Sequence, residues 1–190
     1  METRGIIISG LPCSGKSVLC EKLNIEYGWP VHSIGQMWRE KWKLEYPNGE
    51  IAFPDWWRKT SDQDNILVNE EMLSEMKRKS LIVDSRYTPF YCLDLPYLRV
   101  FLGADLETRA RRVLDRHNQN LEKGIEREQR TLEQVREILK TRGEDEYQRG
   151  FVLFKEDYRN PAFYQLKIDS SNMSISQELE SIKNVITLLG

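Results

Sequence analysis

A parallel α/β fold, a five-stranded sheet with helices on both faces, is predicted by three observations. An unbroken β-branched run, Ile6-Ile7-Ile8, leads into Gly10-Leu11-Pro12-Cys13-Ser14-Gly15-Lys16-Ser17, a complete G-x-x-x-x-G-K-[ST] phosphate loop. Leu19 and Leu23 follow it at helical spacing. Strand-like and helical stretches then alternate to the end of the chain. At 190 residues the sequence is long enough for one such domain and short for two.

Each element has its own signal. Residues 4–9 read as a strand buried on both faces, because the apolar run lacks polar alternation. A helix over 16–26 follows the loop, then a strand at Val31-His32-Ser33-Ile34 and, past Gly35, a helix over 36–45. Tyr46-Pro47-Asn48-Gly49 and Phe53-Pro54-Asp55-Trp56-Trp57 form a turn-rich aromatic stretch. A helix over 62–79 precedes the strand Leu81-Ile82-Val83-Asp84, and the fourth strand is Leu98-Arg99-Val100-Phe101-Leu102. A helix over 105–117 comes next, then a helical stretch over 125–158 that Gly143 and Gly150 are expected to break. Within it Leu132, Val135 and Leu139 give one narrow apolar stripe, as in a lightly anchored flap hinged at the glycines. Gln165-Leu166-Lys167-Ile168-Asp169 is the fifth strand and 174–188 the last helix; no internal repeat or linker interrupts the series.

Composition narrows the partners. With 28 basic and 30 acidic residues there is no overall basic field to hold nucleic acid, and none is expected as a partner. Cys13, Cys20 and Cys92 are odd in number and unpaired in spacing, and His32 and His117 are the only histidines, which disfavours a disulfide framework or a zinc site. No apolar stretch approaches the ~20 residues of a membrane span. The start runs into the first strand without a signal-peptide layout. The expectation is a cytoplasmic, monomeric protein without membrane contact.

The loop residues carry anion chemistry. Gly10 and Gly15 let backbone N–H groups turn toward a phosphate, and the helix N-terminus behind them adds roughly half a positive charge. Lys16 can reach β- and γ-phosphates, and the Ser17 hydroxyl can ligate a bridging magnesium ion. Cys13, inside the loop, is either a tolerated small side chain or a redox-sensitive thiol. In such sheets ligands collect beyond the carboxyl ends of the strands, where Ser33, Asp84 and Ser170 also fall. Asp84 can hold magnesium or accept a proton, Arg86 can grip a second phosphate bidentately, and the alternative for both is a salt bridge at a loop entrance. Gly35 and Arg39, at a glycine turn opening a helix, suggest a second anion site. Arg142 and Arg149 beside the two glycines suggest a lid that carries charge to a transferring phosphoryl group and keeps water out. Trp56 and Trp57 suit either the core of a small subdomain or base stacking. All five tryptophans lie between Trp29 and Trp57, so all five are expected on the acceptor side.

In this order and spacing, the phosphate loop, Ile34-Gly35-Gln36-Met37-Trp38-Arg39, Asp84-Ser85-Arg86, the stretch from Phe101 to Arg112, that from Arg142 to Arg149, and that from Tyr164 to Ser171 resemble the nucleoside monophosphate kinases nearly end to end. The chain is most similar to the short, archaeal-type cytidylate kinases. The resemblance implies the three-layer fold of the P-loop NTPases over residues 1–190, with an acceptor-binding region at about 35–70 and a lid at about 120–150. It implies ATP and magnesium held at Gly10, Cys13, Ser14, Gly15, Lys16, Ser17 and Val18, with Asp84 beside the metal. A small nucleotide acceptor would sit at Gly35, Arg39 and Arg86. Arg112, Arg142 and Arg149 would close over the phosphates, and Ser170 and Ser171 would lie near the adenine. Two departures stand out: Val18 replaces a usual second hydroxyl, and Asp84-Ser85-Arg86 replaces the usual Glu-Gly-Arg.

The implied reaction is in-line transfer of the ATP γ-phosphoryl to CMP or dCMP. The same framework also serves kinases of small-metabolite or polynucleotide hydroxyls, for which Asp84 must act as a true base, and an ATP-binding protein without turnover. A GTPase is disfavoured because neither N-K-x-D nor D-x-x-G occurs.

Overall fold

The computed structural model describes residues 3–122 and 129–189. Its sheet contains β1 (Gly5–Gly10), β2 (Val31–Ser33), β3 (Ile82–Asp84), β4 (Tyr97–Gly103) and β5 (Leu166–Asp169). All pairings are parallel, in the order β2-β3-β1-β4-β5. The helices are α1 (Lys16–Tyr27), α2 (Ile34–Glu45), α3 (Phe53–Lys59), α4 (Asp62–Arg78), α5 (Leu106–Glu122), α6 (Leu132–Phe154) and α7 (Ile175–Leu189). These are the three layers of the P-loop NTPase fold.

The isoleucine run explains the layering, because successive strand side chains point to opposite faces. Ile6 and Ile8 pack with Leu19, Cys20 and Leu23 of α1 and Ile182 of α7. Ile7 packs on the other face with Ile34 and Trp38 of α2, Trp56 of α3, and Met72 and Met76 of α4. The register aligns Asp84 with Ile8 on one side and Ser33 on the other, and Gly10 with Leu102. Several of the residues expected to act thereby end their strands at one edge of the sheet. At Gly10 a side chain is excluded: φ is 138°, and a Cβ would lie 2.0 Å from the Leu102 carbonyl oxygen.

Three expectations are corrected. Gly143 and Gly150 do not break a helix or form a hinge, since α6 runs through both. Glycine weakens an exposed helix by only about 1 kcal/mol, and tertiary packing outweighs that here. Nor is α6 lightly anchored: Val135 and Leu139 are buried with Ala110 of α5, and Tyr87 stands where a Cβ of Gly150 would go. The aromatic stretch contains α3, with Pro54 in its first turn, and of the two readings of Trp56 the structure bears out the core one. Trp29 does not group with the other four tryptophans, which pack around the α2–α4 core; it stacks on Tyr27 at 4.9 Å beside the α1–α7 face. Residues 123–128 of the expected lid lie outside the described residues. No helix among the described residues is long and apolar enough to cross a membrane.

Candidate active site

The phosphate loop is shaped by left-handed backbone at Cys13 (φ 62°) and Gly15 (φ 107°), with Gly15 as the N-cap of α1. Its carbonyls are occupied from behind. Arg112 Nη1 donates to the Ser14 carbonyl at 2.8 Å and to Ser170 Oγ at 2.9 Å, while Ser170 Oγ donates to the same Ser14 carbonyl at 3.0 Å. Arg109 Nη1 reaches the Pro12 carbonyl at 3.3 Å. With those acceptors taken, the loop presents donors at a helix N-terminus, the arrangement that favours an anion. Ser14 Oγ is buried without a partner, a further polar group suited to a phosphate oxygen.

Lys16 folds over the loop, its Nζ donating to the Leu11 carbonyl at 2.8 Å and the Gly10 carbonyl at 3.1 Å. Burial lowers its pKa to about 8; Arg86 adds to the depression, and Asp84 and Glu146 oppose it. Ser17 Oγ lies 3.3 Å from Asp84 Oδ2, and Ser33 Oγ lies 3.4 Å from the same atom. A hydroxyl and a carboxylate are hard oxygen donors, and so small a set fits magnesium, which keeps waters and takes phosphate oxygens. Among the described residues no cluster of three or more His, Cys, Asp or Glu offers a different metal site.

Beside the loop three guanidiniums converge. Arg86 Nε lies 2.8 Å from Glu146 Oε2 in an ion contact that lacks hydrogen-bond geometry. Arg142 Nε donates to Glu146 Oε1 at 2.9 Å, and Tyr87 donates to the Glu146 carbonyl at 2.6 Å. Arg39 donates to the Gly35 carbonyl at 2.9 Å and stands 5.4 Å over the Phe53 ring. Its pKa is lowered by burial and then by Arg142 and Arg86, which places all three in one electrostatic neighbourhood. Around Lys16, Arg39, Arg86 and Arg142 the nearby carboxylates are Asp84 and Glu146, so positive charge is in excess.

The sequence matches the family described as AAA domain over residues 6–136. The chain belongs to that family. This AAA domain chain is 26% identical over 188 residues to the cytidylate kinase of Ignicoccus hospitalis, covering 95% of this chain and 98% of that one. To the cytidylate kinase of Pyrobaculum islandicum it is 25% identical over 189 residues, with 97% and 94% covered. The resemblance to archaeal-type cytidylate kinases is thus borne out along nearly the whole length. Among solved structures it is similar to an uncharacterized protein from Eubacterium ventriosum (TM-score 0.69, 14% identity, 97% and 98% covered). It is also similar to a gluconokinase from Sinorhizobium meliloti (TM-score 0.60, 14% identity, 100% and 95% covered). These two likenesses concern the fold, which is that of the P-loop kinases.

Not every residue singled out from the sequence of this AAA domain faces the loop. Arg149 turns to α3: it donates to the Trp57 carbonyl, to the Thr60 carbonyl at 2.7 Å and to Thr60 Oγ1 at 2.8 Å. Ser170 supports the loop from behind, and Ser171 Oγ accepts from the Asp105 backbone N–H at 2.9 Å. Val18 is exposed at the start of α1. Sequence reasoning missed Glu146 and Arg109. Glu146 had one visible signal, its four-residue spacing from Arg142, but a charged helix offers many such pairs.

Proposed function

We propose that the protein transfers the γ-phosphoryl group of ATP to a nucleoside monophosphate, CMP or dCMP in the first place, giving the diphosphate. The observation that carries this reading is the convergence of Arg39, Arg86 and Arg142 beside Lys16 and the phosphate loop. One anion site adjoining another suits a donor phosphate and an acceptor phosphate brought together, and an acceptor phosphate offers three guanidiniums more charge to neutralise than the single carboxylate of a hydroxy acid such as gluconate or shikimate. The curated relatives supply the choice of cytosine.

In this mechanism the loop N–H groups and Lys16 hold the donor phosphates, and Ser17 with Asp84 holds the magnesium ion. That ion, when bound, neutralises charge on the β- and γ-phosphates. Arg39 and Arg86 grip the acceptor phosphate. Arg142, on α6 and already joined to Glu146, brings charge to the transferring group as charge spreads over its oxygens. The acceptor phosphate is a nucleophile at neutral pH, so Asp84 need not act as a base, and its contacts to Ser17 and Ser33 support a role beside the metal. Arg149 holds α3 against α6 at the rim of the site. We also infer a single, monomeric, cytoplasmic domain.

The test is ADP release from ATP and magnesium with CMP, dCMP, UMP, dTMP, AMP, GMP, gluconate, shikimate and a 5′-hydroxyl oligonucleotide as acceptors. Turnover confined to pyrimidine monophosphates supports the proposal, and turnover of a hydroxyl acceptor alone overturns it. Asp84→Asn then separates the two chemistries, since a required base is lost completely whereas a metal contact is merely weakened.

A further inference from the structure

Of the three guanidiniums beside the phosphate loop, Arg39 is held differently. Arg86 and Arg142 share the Glu146 carboxylate, whereas Arg39 forms no ion pair among the described residues. Its contacts are neutral. Nη1 donates to the Gly35 carbonyl at 2.9 Å, and the guanidinium carbon stands 5.4 Å over the centre of the Phe53 ring. On the Gly35 side the fit is tight, since a Cβ there would lie 3.4 Å from Nη1. The guanidinium is thus set between a backbone turn and an aromatic face, neither of which carries a countercharge. A carboxylate in that place would compete with an incoming anion, but a π-face orients the planar group and leaves its charge uncompensated.

Phe53 is itself pinned. It opens α3, and its ring meets Trp42 of α2 edge-on at 5.9 Å and Trp56 at 6.1 Å. Both indoles are anchored through their N–H groups: Trp42 Nε1 donates to the Ile51 carbonyl at 2.8 Å, and Trp56 Nε1 donates to Glu45 Oε2 at 2.8 Å. Trp56 also meets Trp38, the neighbour of Arg39 in α2, at 5.9 Å. The aromatic stretch therefore folds back on α2 and fixes one half-buried ring against Arg39.

We propose that Phe53 is a positioning residue for acceptor binding: its ring face orients the Arg39 guanidinium, with the Gly35 carbonyl fixing one edge, so that the remaining N–H groups are presented to the acceptor phosphate. The role rests on the function proposed above. Phe53 acts through Arg39 and touches no phosphate. The aromatic stretch then has a task beyond its own packing, since it carries the platform on which one of the acceptor arginines lies.

Replacing Phe53 with pentafluorophenylalanine tests the proposal, because the ring keeps its shape while the fluorines draw negative charge from its face. The expected result is a rise of roughly two- to fivefold in KM for CMP at unchanged KM for ATP, the scale of a cation–π contact at an accessible site. Phe53→Tyr, which keeps an electron-rich face, should bind CMP as the parent does, and Phe53→Leu should behave as the fluorinated protein does. In an Arg39→Ala background the fluorinated ring should bring no further loss, because the two residues act in series. An unchanged KM for CMP in the fluorinated protein overturns the positioning role, as does an equal rise in KM for ATP. A further loss in the Arg39→Ala background also overturns it, since the ring would then meet the nucleotide itself. Failure of the parent protein to bind or phosphorylate any nucleoside monophosphate overturns the functional reading itself and this inference with it.

Discussion

The Arg149 guanidinium lies 4.3 Å from the centroid of the Trp57 ring, and it also donates to both the carbonyl and the hydroxyl of Thr60. A helix thus clasps, through one side chain, the segment that follows the aromatic stretch. Arg58 adds a second tie, its Nη2 lying 2.5 Å from Asp145 Oδ2. The first is the stronger, since cation–π contact and hydrogen bonds to half-buried carbonyls coincide, whereas the exposed pair contributes about 0–1 kcal/mol.

Replacing Arg149 with leucine should therefore loosen α3 from α6. The expected signature is a red-shifted tryptophan emission and a rise of roughly fivefold in KM for the acceptor, with KM for ATP changed less, as when a few interface contacts carry most of the energy. Equal rises in both KM values would place Arg149 at the phosphates instead.

Lys16 gives a prediction with a definite sign. An ordinary lysine titrates at 10.5, but Lys16, chiefly through burial, titrates at about 8. Between these values the unfolded chain binds more protons, so the contribution of Lys16 makes stability rise as pH increases from about 8 to about 10.5. Below about pH 8 the penalty of burying its charge is present in full. Lys16→Met should thus lose phosphoryl transfer yet melt above the parent at pH 7, the relieved penalty being at most about 3 kcal/mol. ATP affinity should fall above about pH 8 in the parent, with proton uptake on binding seen in calorimetry carried out in buffers of different ionisation enthalpy. A pH-independent affinity between 7 and 9 would contradict the assignment.

The strands, the phosphate loop and the placement of Asp84 were legible because each is a local pattern. Ile6, Ile7 and Ile8 need no knowledge of their neighbours to read as a buried strand, and Asp84 ends an apolar run. Relationships that span the chain were not legible. Glu146 meets Arg86 from 60 positions away, and Arg149 meets Trp57 across 92. The glycines of α6 misled for the same reason. Propensity marks them as breaks, but whether a glycine ends a helix or admits a neighbour depends on what packs there, and Tyr87 is too distant in sequence to be seen beside Gly150.

Glu146 should be indispensable to stability in a way its helical surroundings conceal. Removing a partner from a buried ion pair leaves the other charge uncompensated, which typically costs about 3–5 kcal/mol. Glu146→Ala should then lower the melting temperature by roughly 6–20 °C for a chain of this size. Glu146→Gln, which keeps an acceptor for the Arg142 donor bond, should lose less. Equal losses in the two variants would show that packing rather than charge compensation is at stake.

The two glycines of α6 separate a continuous helix from a hinged one. Nothing stands within 4 Å of a Cβ placed on Gly143, so alanine there keeps the helix and reduces the conformational freedom of the unfolded chain. Gly143→Ala should stabilise by about 0.5–1 kcal/mol and leave turnover intact. At Gly150 the same methyl would lie 2.5 Å from Tyr87 Cε1, on the ring whose hydroxyl bonds the Glu146 carbonyl. Overpacking of that kind costs typically 1–3 kcal/mol, and here the displaced ring would pull on the residue that pairs Arg86 with Arg142. Gly150→Ala is therefore expected to lower the melting temperature and raise KM for the acceptor. Were Gly143 a working hinge, alanine at that position would instead slow turnover at unchanged stability, and a comparison of kcat with melting temperature for the two variants distinguishes the cases.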